Sequence, residues 1–205
     1  GYNTLSSGRA SHAEGSETVA QGWYSHAEGH RTLTEGTFAH SEGRITSASG
    51  QYSHAEGFDT KALGNYSHAE GYLSVAEGWY SHAEGNATYA GGVSAHAEGQ
   101  LTSASGVYSH AEGFKSLASG DFTHVGGSSS TGSYNYTHVH GLNLIDGRNY
   151  QTVIGQHNDS GSVAAGLSNI SDALFVVGNG VNDAGRKNIL VINYANGIYL
   201  DAASL

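Results

Sequence analysis

Histidine and glutamate recur in this chain at a spacing that could hold a metal ion or move a proton. His12, His26, His40, His54, His68, His82, His96, His110, His124 and His138 stand fourteen residues apart. Glu14, Glu28, Glu42, Glu56, Glu70, Glu84, Glu98 and Glu112 follow the first eight by two. On an extended strand, residues two apart point to the same side. Zinc, however, prefers three or four ligands closing round it from different backbone elements. A row along one chain does not offer that closure, although three chains meeting on an axis could bring three imidazoles together. Catalysis needs a unique constellation, such as the paired carboxylates of a glycoside-cleaving groove. Here the carboxylates recur in every unit and nothing sets one apart. The expectation is therefore no enzyme, no resident metal and no cofactor. The stronger reading is that His donates to Glu or to backbone across subunits, satisfying polar groups that association buries. Stacked imidazoles that titrate near neutrality would make such an array pH-sensitive. Trp23 and Trp79, four units apart at one turn offset, are candidates for glycan contact.

A fixed period implies a repeat array, and the array dictates the elements that position these side chains. Aligned on the histidines, the unit reads Tyr-Ser-His-Ala-Glu-Gly-x-x-Thr-x-Ala-x-Gly-x, with the pentapeptide SHAEG intact at 11–15, 25–29, 53–57, 67–71, 81–85 and 109–113. Two glycines per unit leave two segments of about five residues, the length of short strands joined by turns. Fourteen residues suit one flattened turn of a narrow, two-sheeted parallel β-solenoid. Alternation then predicts faces. Thr18, Ala20 and Gly22 share an inner face with Ser25, Ala27 and Gly29, while Tyr24, His26 and Glu28 share an outer one. The Thr row faces inward, which disfavours an ice-matching surface. A tube filled with Ser, Ala, Thr and Gly buries little apolar area. The constant Tyr-His-Glu face is the remaining surface large enough to bury, and the inference is that three tubes pack side by side through it. The interface residues are then Tyr24 with each His–Glu pair from His12 and Glu14 to His110 and Glu112.

Composition narrows the functional classes. Thirty-one glycines without a proline, and only 13 % charged residues, do not describe a disordered tail. A formal charge of −10 argues against nucleic acid and against an anionic membrane surface. No apolar run approaches the ~20 residues needed to span a bilayer, so membrane insertion is not expected. Cysteine is absent, and oligomerisation is the obvious substitute stabiliser. The chain opens partway through a unit and reads as a fragment of something longer.

The unit resembles the YadA-like head repeat of trimeric bacterial surface adhesins and phage tail fibres. The match lies in the period, the Ser-x-Ala-x-Gly strand and the trailing x-Ala-x-Gly strand, over about residues 1–141. The resemblance implies a left-handed parallel β-roll in a homotrimer, with the x positions of Ser-x-Ala-x-Gly at the subunit contact. Family members often carry aliphatic residues at those positions, whereas this chain has His and Glu, which makes the interface polar. Residues 142–205 hold β-rich runs (QTVIG, ALFVVGNG, KNILVINYANG) separated by turns, predicting a small β-meander domain. Leu174, Phe175, Val176, Val177, Ile189, Leu190, Val191 and Ile192 are its expected packed core. The string LFVVGNG, an arginine-bearing loop and a strand ending NG-I-Y resemble the region before the self-cleaving chaperone of phage tail fibres. That implies a C-terminal chaperone domain removed after assembly. The expected role is structural: a phage fibre shaft or head, on the virion, meeting a host glycan or protein receptor. The alternative is a bacterial trimeric autotransporter adhesin on the cell surface.

Overall fold

The computed structural model describes residues 1–158, 173–182, 187–193 and 197–200. Among these the chain is all-β with no helix, and its main body is a parallel β-solenoid of about eleven turns. Two compact units make up the chain, Gly1–Ala104 and Ser105–Leu205.

In the first unit each coil contributes a longer strand, such as His54–Phe58, and a two-residue strand, such as Lys61–Ala62. Each strand pairs in parallel with the one fourteen residues on, in unshifted register: His68 opposite His82, Ala69 opposite Ala83, Glu70 opposite Glu84. The register holds because a one-residue slip would turn the small inner residues outward. Those residues fill the interior: Thr18, Ala20, Ser25 and Ala27 are all at most 2 % exposed, as alternation predicts.

The corners are where alternation fails. Tyr24, Arg31, Phe38, Ile45, Tyr52 and their successors adopt left-handed backbone, with φ between 50° and 63° through Leu101, one every seven residues. This conformation costs an L-residue about 1–2 kcal/mol. It reverses the amide. Strand amides donate to the next coil, as His68 N does to Ser81 O at 2.9 Å, whereas Tyr66 N donates back to Gln51 O at 2.8 Å. Each coil is thus tied to both neighbours. Tyr24 consequently sits in a corner and not on the strand with His26 and Glu28. Gly29, placed inside by alternation, is exposed, with φ of 107°. A Cβ there would land on the carbonyl oxygen of Gly43 in the next coil. Coil spacing, and not interior volume, demands the glycine.

The second unit continues the pattern with internal adjustments. Val125 and Val139 replace the inner Ala and are fully buried. Gly132 stands in register with Ala118, and a Cβ on it would come 2.6 Å from both Val125 Cγ2 and Thr123 Cγ2. One large residue is therefore matched by one small residue seven positions away. In the first unit Thr34 and Ser41, also seven apart, instead replace two alanines and hydrogen-bond to each other.

The histidine pattern stops at 138, but the fourteen-residue register does not. Thr152–Gln156 pairs in parallel with His138–Leu142, Val153 on Val139 and Gly155 on Gly141. Ala173–Asn179 adds in parallel to that strand, and Asn188–Asn193 and Gly197–Leu200 follow antiparallel. Of the eight apolar residues expected to form a packed core here, only Val176 and Val191 are buried, and the other six remain part-exposed. An outer strand with one apolar face left open cannot bury both sides within a single chain. The arginine-bearing loop and the Asn-Gly turn before Ile198 lie outside the described residues.

Candidate functional site

Parallel stacking turns the His–Glu spacing into two adjacent ladders. In the first unit the imidazoles of His26, His40, His54, His68, His82 and His96 lie face to face, with centroids 4.8–5.0 Å apart and planes within 7° of parallel. His12, at the end, meets His26 edge-on. Beside them Glu28, Glu42, Glu56, Glu70, Glu84 and Glu98 line a shallow groove of about 800 Å³, floored by the glycines that follow them. Every sequence-predicted His–Glu pair that falls in this unit lies along these ladders. Glu14, at the exposed end, is held below the ordinary carboxylate range, first by its hydrogen bond from His12 and then by that ring's charge.

The ladders bring together what a single strand could not. In several coils the imidazole Nε2 stands near that coil's own carboxylate: 3.6 Å for His26–Glu28, 3.9 Å for His40–Glu42 and 3.8 Å for His68–Glu70. Glu84 spans two coils, Oε2 towards His82 at 4.0 Å and Oε1 towards His96 at 3.7 Å. Donor atoms of Glu28, His40 and Glu42 all lie within 4.8 Å of one another, as do those of Glu42, His54 and Glu56 and of Glu56, His68 and Glu70. The expectation that one chain offers no closure considered one strand. In the parallel register the neighbouring coil supplies the missing element.

The second unit holds a shorter version. His110 and His124 stack at 4.7 Å, and His124 meets His138 edge-on. Glu112 reaches His124 at 3.3 Å. Gly126, where the pattern calls for Glu, leaves a gap into which His140 reaches, its Nδ1 3.8 Å from Glu112. Burial, then the charges of His110 and His138, push the His124 imidazole below its ordinary value against the opposing pull of Glu112.

A separate aromatic row runs along one corner: Tyr24, Phe38, Tyr52, Tyr66 and Tyr80 stack at 4.9–5.0 Å. Within the row their faces cover one another, so between its two ends a sugar ring finds only their edges. Trp23 and Trp79 precede two of these corner residues and are each 57 % exposed, about 19 Å apart at four coil spacings. Alternation along strands did not reveal the corner row, but the recurrence of Tyr or Phe two residues before eight of the ten evenly spaced histidines could have. A further row was missed because its residues vary: Asn65 and, in the second unit, Asp121, Asn135 and Asn149 each accept the backbone N–H of the residue fourteen before at 2.9 Å.

No family model matches the chain, and no curated protein is similar to it at a significant level.

Proposed function

We propose that this chain is a section of a homotrimeric attachment fibre, of the kind phage tails carry, whose copies assemble through the His–Glu face and which presents or forms a host-binding surface. The observation that carries the reading is the constancy of that face. His and Glu repeat from coil to coil while the corner positions change freely, from Glu17 to Arg31, Ile45 and Asp59. A surface held constant while its neighbours vary is a surface for packing. The part-exposed apolar strands near the C-terminus, with Ile198 71 % and Leu200 58 % exposed, support the same conclusion. The resemblance to YadA-like heads supplies the trimer and the left-handed coil. The receptor, a host glycan or protein, meets the variable corners, with Trp23 and Trp79 as stacking positions. A chaperone domain would follow the chain and be removed after assembly.

Mass in solution, measured by light scattering with EDTA present, tests the reading: three times the 21.2 kDa chain is expected, and a monomer overturns it. Glu56→Arg with Glu70→Arg should then reduce the trimer to monomers, and a trimer that survives moves the interface elsewhere. A self-cleaving domain encoded after Leu205 favours the phage fibre, and a membrane-inserting barrel favours the adhesin.

A further inference from the structure

The geometry points to a row of divalent-cation sites along the groove of the first unit, each built from one imidazole and two carboxylates, its own coil's and the preceding coil's. Three observations converge on this.

The first is that the inner imidazole nitrogens lack hydrogen bonds. Nε2 of His26, His40, His54, His68 and His82 is shielded from solvent and makes no hydrogen bond. A shielded ring nitrogen without a partner is costly, and native structures rarely leave one. The same atom repeated in five successive coils is a property of the design.

The second is distance. The Nε2 to carboxylate separations of 3.6–4.0 Å are too long for hydrogen bonds. Two ligands each about 2.0–2.1 Å from a tetrahedral ion stand roughly 3.3–3.5 Å apart. Closing a few tenths of an ångström needs only small rotations of a Glu side chain that faces an open groove. With a second Glu from the preceding coil, whose donor atom lies within 4.8 Å, His40, His54 and His68 each have the three-ligand set of a zinc-type site, leaving further positions open. Water fills those positions, or a partner's side chain where copies pack on this face. The ligand sets lie within one chain, so the inference does not depend on trimer formation.

The third is charge. The groove carries one carboxylate per coil, and the neighbouring imidazoles are neutral when they ligate. One divalent cation for every two coils balances that charge. Consecutive sites share a carboxylate, Glu42 between the first two and Glu56 between the next. Ions on adjacent coils would stand about 4.8 Å apart and repel strongly. Filling therefore alternates: an ion on Glu28, His40 and Glu42 leaves the next set empty and the following set, Glu56, His68 and Glu70, free to bind. The imidazole in each set selects zinc-like first-row ions over calcium and magnesium, which prefer all-oxygen cages.

The test is metal uptake by the full chain, freed of metal with EDTA and dialysed, then titrated with Zn²⁺ alone and Ca²⁺ alone, with Co²⁺ as a spectroscopic probe of nitrogen ligation. Saturable Zn²⁺ uptake at about one ion per two coils is expected from charge balance, with Ca²⁺ at least tenfold weaker. Replacing Glu42, Glu56, Glu70 and Glu84 by Gln should remove more than half of the bound Zn²⁺, the remainder belonging to sets such as His110, Glu112 and His124. Glu17→Gln with Glu35→Gln, outside the groove, should change nothing. If the fourfold variant fails to fold by circular dichroism, His40→Gln with His54→Gln and His68→Gln carries the same test. Absence of saturable uptake, uptake indifferent to the groove variants, or Ca²⁺ bound as tightly as Zn²⁺ overturns the proposal. Mass measured in EDTA is indifferent to all of these, so the trimer and the metal row fail separately.

Discussion

The interior pair Val125 and Gly132 allows a quantitative test of how each coil is filled. Val125 is fully buried, and truncation to Ala removes two methyl groups. That is about 1.6 kcal/mol of transfer free energy, and the cavity left beside a glycine, which cannot fill it, raises the loss to about 2–3 kcal/mol. Gly132→Ala places a Cβ 2.6 Å from Val125 Cγ2 and Thr123 Cγ2, well inside the 3.5–4.0 Å at which carbons pack. Such overpacking costs about 1–3 kcal/mol, from which the lost glycine entropy returns roughly 0.5–1 kcal/mol. Each single variant is therefore destabilised. The double variant restores the Ala–Ala pair that other coils carry, as Ala69 and Ala76 do, and should lie within about 0.5 kcal/mol of the parent. Denaturant unfolding of the four proteins, read also by amide exchange across 123–139, measures the coupling. Additive losses in the double variant would refute the idea that inner positions seven apart are chosen as pairs.

Other consequences can be checked individually. Ala87 holds left-handed backbone at φ 55°, so Ala87→Gly should raise stability by about 0.5–1 kcal/mol, strain relief exceeding the added chain entropy; a lower melting temperature would contradict this. Asp146 is buried and accepts from Ser133 N, Tyr134 N and Thr137 Oγ1 at 2.9 Å each. Asp146→Asn turns one acceptor into a donor facing donors, so a loss of about 1–3 kcal/mol is expected in unfolding experiments. His124 lies below its ordinary value of 6.5, so the stability it lends is complete above pH 6.5 and is lost as pH falls through its lowered value. Asp146, raised above 3.8 by burial, acts in the opposite sense, gaining stability on acidification. The difference between parent and His124→Gln therefore isolates the histidine, and equal acid dependence of the two would dismiss it.

The period and the inner residues were legible in the sequence because small residues repeat where volume is fixed, and strand alternation assigns Ser25, Ala27, Thr18 and Ala20 correctly. Alternation presumes extended backbone. The left-handed residue at each corner interrupts it, which is why Tyr24 moved to a corner and Gly29 to the surface. The coil at Thr152–Gln156 escaped notice for want of its histidine, yet Tyr150 and Gly155 sit fourteen residues after Tyr136 and Gly141. The groove's ligand sets needed the stacking distance, which no single strand contains.

The matching of inner residues seven apart, by size at Val125 and Gly132 and by hydrogen bond at Thr34 and Ser41, has a consequence for how such a chain can change. Because Thr34 answers Ser41 and Gly132 answers Val125 within a span of seven residues, a coil settles its own interior and asks little of its neighbours beyond register. Whole coils are then cassettes. A duplication or loss of fourteen residues, or a multiple of fourteen, leaves every ladder continuous, whereas a length change of any other size would throw both glycine rows and the histidine row out of line. Length in this protein is free to vary, but only in whole steps.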